Sequence, residues 1–582
     1  MLLPVSWMMV RMNLPKLDFS YLREQIVGVD SSFTTPFGDR MLVYCDYTAS
    51  GRTLGFVEDY LRGLQRHYAN THTEDDVTGR SMTHLLHEAE AEIKKCVNAG
   101  TDGRIICTGT GATGAITHWQ QILGVALAPA TRDYLMSVLR AGVGDRSIEQ
   151  CVAELRDKAP VVFVGPYEHH SNEVTWRESL AEVVPVKLDG SGQIDLDYLK
   201  SLLTDERYEG RLRIGSFSAA SNVTGFRSPV RELSVLLHRH GALACFDYAA
   251  SAPYVRIDMN PEPESVDEDP SIDAIFVSPH KFLGGPGSAG VLVFNQRFYR
   301  TDLGPTVGGG GTVDYVSRHE HDFVHDIEER EKAGTPGSLQ VLKAALCFLV
   351  KEAAGPVRIE KREHELVSRA FARWSKNDNI EVLGDSDPSR RVAIVSFNLK
   401  CSEGTYLHPK FVTTLLNDLF GIQSRAGCSC AGPYGHRLLG IDEGTSQRYR
   451  SCILDGTAGI KPGWCRVGFH YVMDDIEADY VIDAIDFIAR EGDRFLRLYN
   501  FEMKTGAWTH KDDCCENPAF SLREAMCATH FGSTSLSPAE RAKRYEGFLG
   551  EARRLAEELG EPGPMRKLEG EAGELQFFAL PG

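Results

Sequence analysis

The sequence lacks a membrane-length apolar run near its start. The opening stretch MLLPVSWMMV is apolar, but it is too short to cross a bilayer. It also lacks a basic leader and a small-residue cleavage site, so no signal peptide is expected. Positive charge is scarce as well. Lys and Arg total 63 against 81 Asp and Glu, a formal net charge of −18. That balance argues against a nucleic-acid or anionic-membrane partner and favours a small-molecule enzyme or a protein partner with basic patches. No cysteine framework is evident: the 14 cysteines are scattered through a chain too long to need disulfide staples, which fits a reducing cytoplasm. Internal repeats are absent too. With 42 % hydrophobic and 25 % charged residues, the 582-residue chain has an ordinary globular composition and enough length for more than one domain.

From about residue 84 to 350, short apolar runs alternate with helix-period segments. RIICTG (104–109), PVVFVG (160–165), LRIGSFS (212–218), ALACF (242–246) and IDAIFVS (272–278) read as strands. ATGAITHWQQILGVAL (112–127), DLDYLKSLL (195–203) and PVRELSVLLHRHG (229–241) read as helices. Such alternation predicts an α/β fold, a mostly parallel sheet covered by helices. Around 355–495 the pattern becomes α+β and predicts a smaller domain. The expected division is a 1–40 N-terminal extension, a 41–350 large domain, a 351–498 small domain and a 499–582 polar tail with one amphipathic helix.

Open parallel sheets bind ligands beyond the carboxyl ends of their strands. The loops there read TGTGATGA, PYEHHSN, AASNVTG, DYAAS and SPHK, the last followed by four glycines within nine residues. Taken singly, each has a plain reading. His169 and His170 suit a surface, Asn222 a turn, Asp247 a helix cap and Lys281 open solvent. Taken together they offer a phosphate cradle, an imidazole plate, a carboxylate and an amine at one edge. Those are the groups that pyridoxal 5'-phosphate needs.

Nine segments in order carry a family resemblance: CDYTASGRT (45–53), GTGATGAI (109–116), EHHSN (168–172), SNVTG (221–225), DYAAS (247–251), SPHK (278–281), AGTPG (333–337), RAGCSCAGP (425–433) and CRVGF (465–469). Residues from about 44 to 490 resemble class V aminotransferases, fold-type I pyridoxal phosphate enzymes that include cysteine desulfurases and selenocysteine lyases. The resemblance implies a Schiff-base lysine at Lys281, a pyridine-nitrogen partner at Asp247 and a stacking ring at His169. It implies that Ala112, Thr113, Ser278 and His280 hold the phosphate, and that Thr335 completes the site of a neighbouring subunit in a homodimer. Asn222 and Arg466 match residues that bind the substrate carboxylate, for which a planar guanidinium is well suited.

Within that resemblance, SRAGCSCAGP matches the loop that carries the nucleophilic cysteine of desulfurases. It places Cys430 as the nucleophile, with Arg425 and the glycines at 427 and 432 positioned to lower the thiol pKa and let the loop move. The implied reaction releases alanine from cysteine and leaves a persulfide, to be passed to a sulfur-acceptor protein. Cys428 and Cys430 beside His436 form only a partial ligand set, so no metal is expected, and their one-residue spacing strains a disulfide. An aminotransferase or other lyase with an inert Cys430 remains the alternative. A non-catalytic scaffold is a third reading, against which the intact Lys281, Asp247 and His169 argue. The chain departs from the family at Ala250, where many members carry glutamine, at Cys428 and Ser429, where desulfurases often carry histidines, and in the long stretch after Cys430.

Overall fold

A computed structural model of the chain describes residues 14–71, 73, 75–143, 150, 157–401, 404–512 and 536–582. Its centre is a seven-stranded sheet. In chain order the strands are β1 (Gly103–Thr108), β2 (Val161–Val164), β3 (Glu182–Pro185), β4 (Arg213–Ser218), β5 (Leu243–Asp247), β6 (Ala274–Val277) and β7 (Gly290–Asn295). They lie in the order β1-β7-β6-β5-β4-β2-β3. Strands β3, β2, β4, β5 and β6 pair in parallel, while β7 runs antiparallel to both β6 and β1. The parallel sheet expected from the alternation is therefore present, with one reversed strand inserted near its edge.

The central strands are apolar on both faces because both faces are covered. Along β2, Val161 and Phe163 enter one core cluster, whereas Val162 and Val164 enter the other, which also holds Trp119 and Trp176. Alternate residues of β5 and β6 divide in the same way. Helices α1 (Val77–Cys96), α2 (Gly111–Ile122), α3 (Val230–Arg239) and α4 (Ser338–Ala354) pack around this sheet.

Beyond α5 (Pro356–Trp374) lies an antiparallel sheet of β8 (Ile380–Val382), β9 (Ile394–Leu399), β10 (Arg425–Gly427) and β11 (Trp464–Gly468), in the order β8-β9-β11-β10. Helices α6 (Pro409–Phe420), α7 (Gly432–Leu438), α8 (Glu443–Leu454) and α9 (Asp475–Glu491) accompany it. The α+β reading of this region matches the observed elements closely.

The tail is less polar in structure than in sequence. A hairpin of Tyr499–Glu502 with Ala507–His510 precedes α10 (Pro538–Leu559), which starts in a reciprocal Ser537–Glu540 capping box. Phe578 and Leu580 are then fully enclosed, and Tyr406 pairs in parallel with Phe578. Among the described residues, no helix is long and apolar enough to cross a membrane.

Candidate active site

The carboxyl ends of β1, β4, β5 and β6 open onto one cavity of about 280 Å³. Ala112 and Thr113 from the start of α2, Ser218 at the end of β4, Asp247 at the end of β5, and Ser278, His280 and Lys281 after β6 all line it. His169 and Asn222 reach it from loops, and Arg425, Cys430 and Arg466 come from the second sheet and its turn. Every site residue expected from the sequence is thus gathered here except Thr335, which is exposed in an outer loop and does not line the cavity.

Two glycines make the floor possible. At Gly51 an added Cβ would lie 1.9 Å from the Phe282 carbonyl, because the CDYTASG segment passes directly against the backbone of the lysine loop. Gly51 N donates to the carbonyl of His280 at 2.9 Å across this contact. At Gly111, φ is +59° and a Cβ would meet Ser278 Oγ at 2.8 Å. Only glycine takes that left-handed turn without crowding the cradle. Ala112 N donates to Ser278 Oγ at 2.8 Å, which joins the helix start to the SPHK turn.

Burial sets the ionisation of the groups inside. Desolvation lowers the Lys281 amine to about 8; Asp247 opposes the shift, while Arg466 and Arg425 add to it. The Asp247 carboxyl is raised by burial, against a hydrogen bond from Ala249 N at 2.8 Å and the nearby Lys281. His169 falls to about 4 through burial and then through Lys281, so its ring is neutral at physiological pH. Ser171 N donates to its Nδ1 at 3.1 Å and fixes the plane of the ring. Behind it, Glu168 is pushed up to about 7 by burial. Its carboxyl accepts from Ser218 N at 2.8 Å, Ser218 Oγ at 2.6 Å and Asn172 Nδ2 at 2.7 Å.

Sequence reasoning did not identify Asp46. Its Oδ1 accepts from Arg466 Nη2 at 3.2 Å and its Oδ2 from Arg425 Nε at 2.9 Å. Arg466 is buried and also donates to the Asn222 carbonyl at 2.9 Å. Asn222 in turn gives its side-chain amide to the Ser429 carbonyl at 2.6 Å, while its Oδ1 is buried without a hydrogen-bond partner. The acidic partner of these arginines sits in the CDYTASG segment, far away in sequence, so no spacing pattern announces it.

The cysteine turn is strained. Ser429 and Cys430 both adopt left-handed backbone, with φ of +48° and +55°. Non-glycine residues pay about 1–2 kcal/mol each for this conformation and keep it only where the surroundings enforce it. Cys430 is exposed at the cavity mouth, whereas the half-buried Cys428 packs on the hydrophobic core.

The donor set suits pyridoxal phosphate. The start of α2, with Ser278 and His280, offers N–H and O–H groups in a glycine-made recess for a phosphate. A neutral imidazole provides a flat apolar plate, Asp247 a buried carboxylate, and Lys281 a buried amine of lowered pKa.

Comparison with known proteins identifies the family and the fold. The sequence profile of the aminotransferase class-V family matches residues 146–481, more than half of the chain. A probable cysteine desulfurase of Halalkalibacterium halodurans is 28% identical over 403 residues, covering 67% of this chain and 84% of the relative. One from Staphylococcus aureus strain Mu50 is 27% identical over 426 residues, 72% of this chain and 87% of the relative. The cysteine desulfurase of Thermococcus onnurineus NA1, solved in its apo form, superposes with a TM-score of 0.59 at 21% identity, covering 77% of this chain and 94% of that one. A cysteine desulfurase of Escherichia coli gives a TM-score of 0.58 at 21% identity, covering 81% and 98%. The fold is shared with these solved enzymes, and the chain belongs to the aminotransferase class-V family.

Proposed function

We propose that the chain is a pyridoxal phosphate-dependent cysteine desulfurase that releases alanine and stores sulfur as a Cys430 persulfide. The observation that carries this reading is the placement of two reactive groups on one cavity. The Lys281 amine lies at its floor and the exposed Cys430 thiol lies at its mouth, on a backbone turn strained to present it.

Lys281 would tether the cofactor, Asp247 would face its ring nitrogen and His169 would stack on it. Ala112, Thr113, Ser278 and His280 would hold the phosphate. When bound, the group supplies an aldehyde for the substrate amine and an electron-withdrawing ring for the charge left by the α-proton. Arg466, with Asn222 and Arg425 beside it, receives the substrate carboxylate. Lys281 Nζ would take the α-proton; an amine lowered to about 8 exchanges protons readily around neutral pH. The Cys430 thiolate attacks the substrate sulfur, so that an S–S bond forms as the substrate C–S bond breaks. The electron pair of that bond stays on the carbon skeleton, which takes a proton and departs as alanine.

A large 41–350 unit thus carries the cofactor groups, and a smaller 351–498 unit carries the nucleophile. Thr335, exposed in the single chain, fits a contribution to the second site of a homodimer, and a sulfur-acceptor protein would collect the persulfide from the exposed Cys430 in the cytoplasm. The decisive experiment supplies cysteine to the cofactor-loaded protein and to its Cys430→Ser variant, then assays alanine, sulfide and keto-acid. Alanine and persulfide from the parent alone support desulfuration. Keto-acid, formed equally by both, would make the enzyme a transaminase.

A further inference from the structure

His170, the second histidine of EHHSN, does not line the cavity, and the chemistry above gives it no role. Its contacts are nevertheless concentrated on one object. His170 N donates to the Cys430 carbonyl at 2.8 Å, and Gly432 N donates to His170 Nε2 at 3.1 Å. One residue therefore grips the turn on both sides of Ala431, directly after the thiol-bearing residue, through its backbone at the Cys430 carbonyl and through its ring at Gly432 N. A third external bond, from Asn222 to the Ser429 carbonyl, holds the preceding residue. The turn itself contributes a single backbone bond, from Ala431 N to the Cys428 carbonyl at 3.0 Å. Two consecutive left-handed non-glycine residues are not self-supporting, so these outside contacts are what keep the turn in shape.

The ring contact has a chemical condition. Nε2 accepts a hydrogen bond, so it carries no proton, and the imidazole must be neutral with its hydrogen on Nδ1. Protonation would convert this acceptor into a donor facing an N–H. Partial burial of the ring is the first influence against that event. Glu173, on the same short helical turn, favours the proton, but it is itself paired with Arg177. Arg177 and Lys461, the latter from the loop entering β11, disfavour it, and the neighbouring His169 ring lies 6.3 Å away, centre to centre.

We propose that His170 is a positioning residue for the Cys430 turn: its neutral ring pins the thiol over the cavity, and its protonation lets the turn go. The catalytic benefit rests on the reading of Cys430 as nucleophile, whereas the clamp itself does not. Acidification would then uncouple the two halves of the reaction: substrate still binds on the cavity floor, but the sulfur acceptor group is no longer held in reach.

The test uses cofactor-loaded protein with His170 intact, His170→Gln and His170→Ala. Gln places a non-titrating oxygen acceptor near the position of Nε2. Two readouts are taken across pH 5–8: hydrogen exchange of the 428–432 backbone, corrected for intrinsic rates, and alkylation of Cys430 by iodoacetamide, corrected for thiolate fraction. Parent protein is expected to lose protection on the acid side, the Gln variant to stay protected throughout, and the Ala variant to be open at every pH. Desulfuration should fall about five- to tenfold in the Ala variant, the worth of one hydrogen bond, and recover in the Gln variant. Equal protection in all three proteins, or the same pH profile in the Gln variant as in the parent, overturns the proposal. A clamp with these exchange profiles in a protein that makes no alanine would instead sink the desulfurase reading and leave the clamp standing.

Discussion

Arg466 Nη2 donates to Asp46 Oδ1 at 3.2 Å, so the guanidinium proposed to meet the substrate carboxylate already has an acidic partner. A second guanidinium, Arg425, is held by the other oxygen of the same carboxylate. Asp46 thereby keeps a buried cation paired while the site is empty.

Asp46→Asn is expected to lose about 3 kcal/mol of stability, because it leaves the Arg466 charge buried without its counter-ion. Added cysteine should then raise the melting temperature of the variant more than that of the parent, since its carboxylate restores the missing charge. Scanning calorimetry with and without amino acid checks this, and an equal shift in both proteins would remove Arg466 from the carboxylate site.

Lys281 dictates a pH window. Its folded value near 8 lies below the ordinary 10.5, so between those values the unfolded chain binds more protons than the folded one. Stability of the cofactor-free protein is penalised below pH 8 and is regained as pH rises from about 8 to 10.5. Capture of pyridoxal phosphate by the apoprotein should accelerate through the same region, with its midpoint near 8 rather than above 10. Borohydride fixation followed by peptide mapping gives the rate, and Lys281→Ala should show no adduct at any pH.

Cys428 and Cys430 differ in exposure, and their substitution should differ accordingly. Cys428→Ser is expected to retain persulfide formation within about threefold, with a stability cost of about 1 kcal/mol from placing a hydroxyl against the core. Cys430→Ser should form no persulfide while still binding the cofactor. Mass spectrometry of cysteine-treated protein, with the cofactor absorbance as control, distinguishes them.

The tail is structural. Arg541 on α10 pairs with Asp474 at the cap of α9, Tyr545 stacks on Tyr480 at 4.1 Å and 13°, and Glu551 reaches Arg40 at 3.0 Å. Ending the chain at residue 535 exposes Tyr480 and leaves Arg40 without this carboxylate. The shortened protein should melt at lower temperature and aggregate, yet any soluble fraction should still take up the cofactor, because among the described residues none beyond 466 lines the cavity.

Much of this was legible in the sequence because each strand of the large sheet ends in its own short, chemically marked loop. Apolar runs located β1, β2, β4, β5 and β6, and the loops after them delivered Thr113, His169, Asn222, Asp247 and Lys281 to one edge. The reversal of β7 was not legible, since an apolar strand reads alike in either direction. Asp46 and His170 were not legible as partners, because what they hold lies hundreds of residues away in sequence. Nor was the burial of the terminus: isolated Phe578 and Leu580 in a polar tail show no period, and only the groove beside Tyr406 and Tyr449 gives them a place.

That seat at Phe578 and Leu580 has a consequence for biosynthesis. The carbonyl of Leu575 accepts from Tyr449 Oη at 2.9 Å, and Arg448 beside it pairs with Glu571 and Glu574, so α8, the second helix after the cysteine turn, is braced by a segment far further along the chain. While those residues remain inside the ribosome exit tunnel, this brace cannot form. Maturation of the thiol-bearing lobe therefore waits until residues 571–575 have emerged, long after the large sheet is free to collapse.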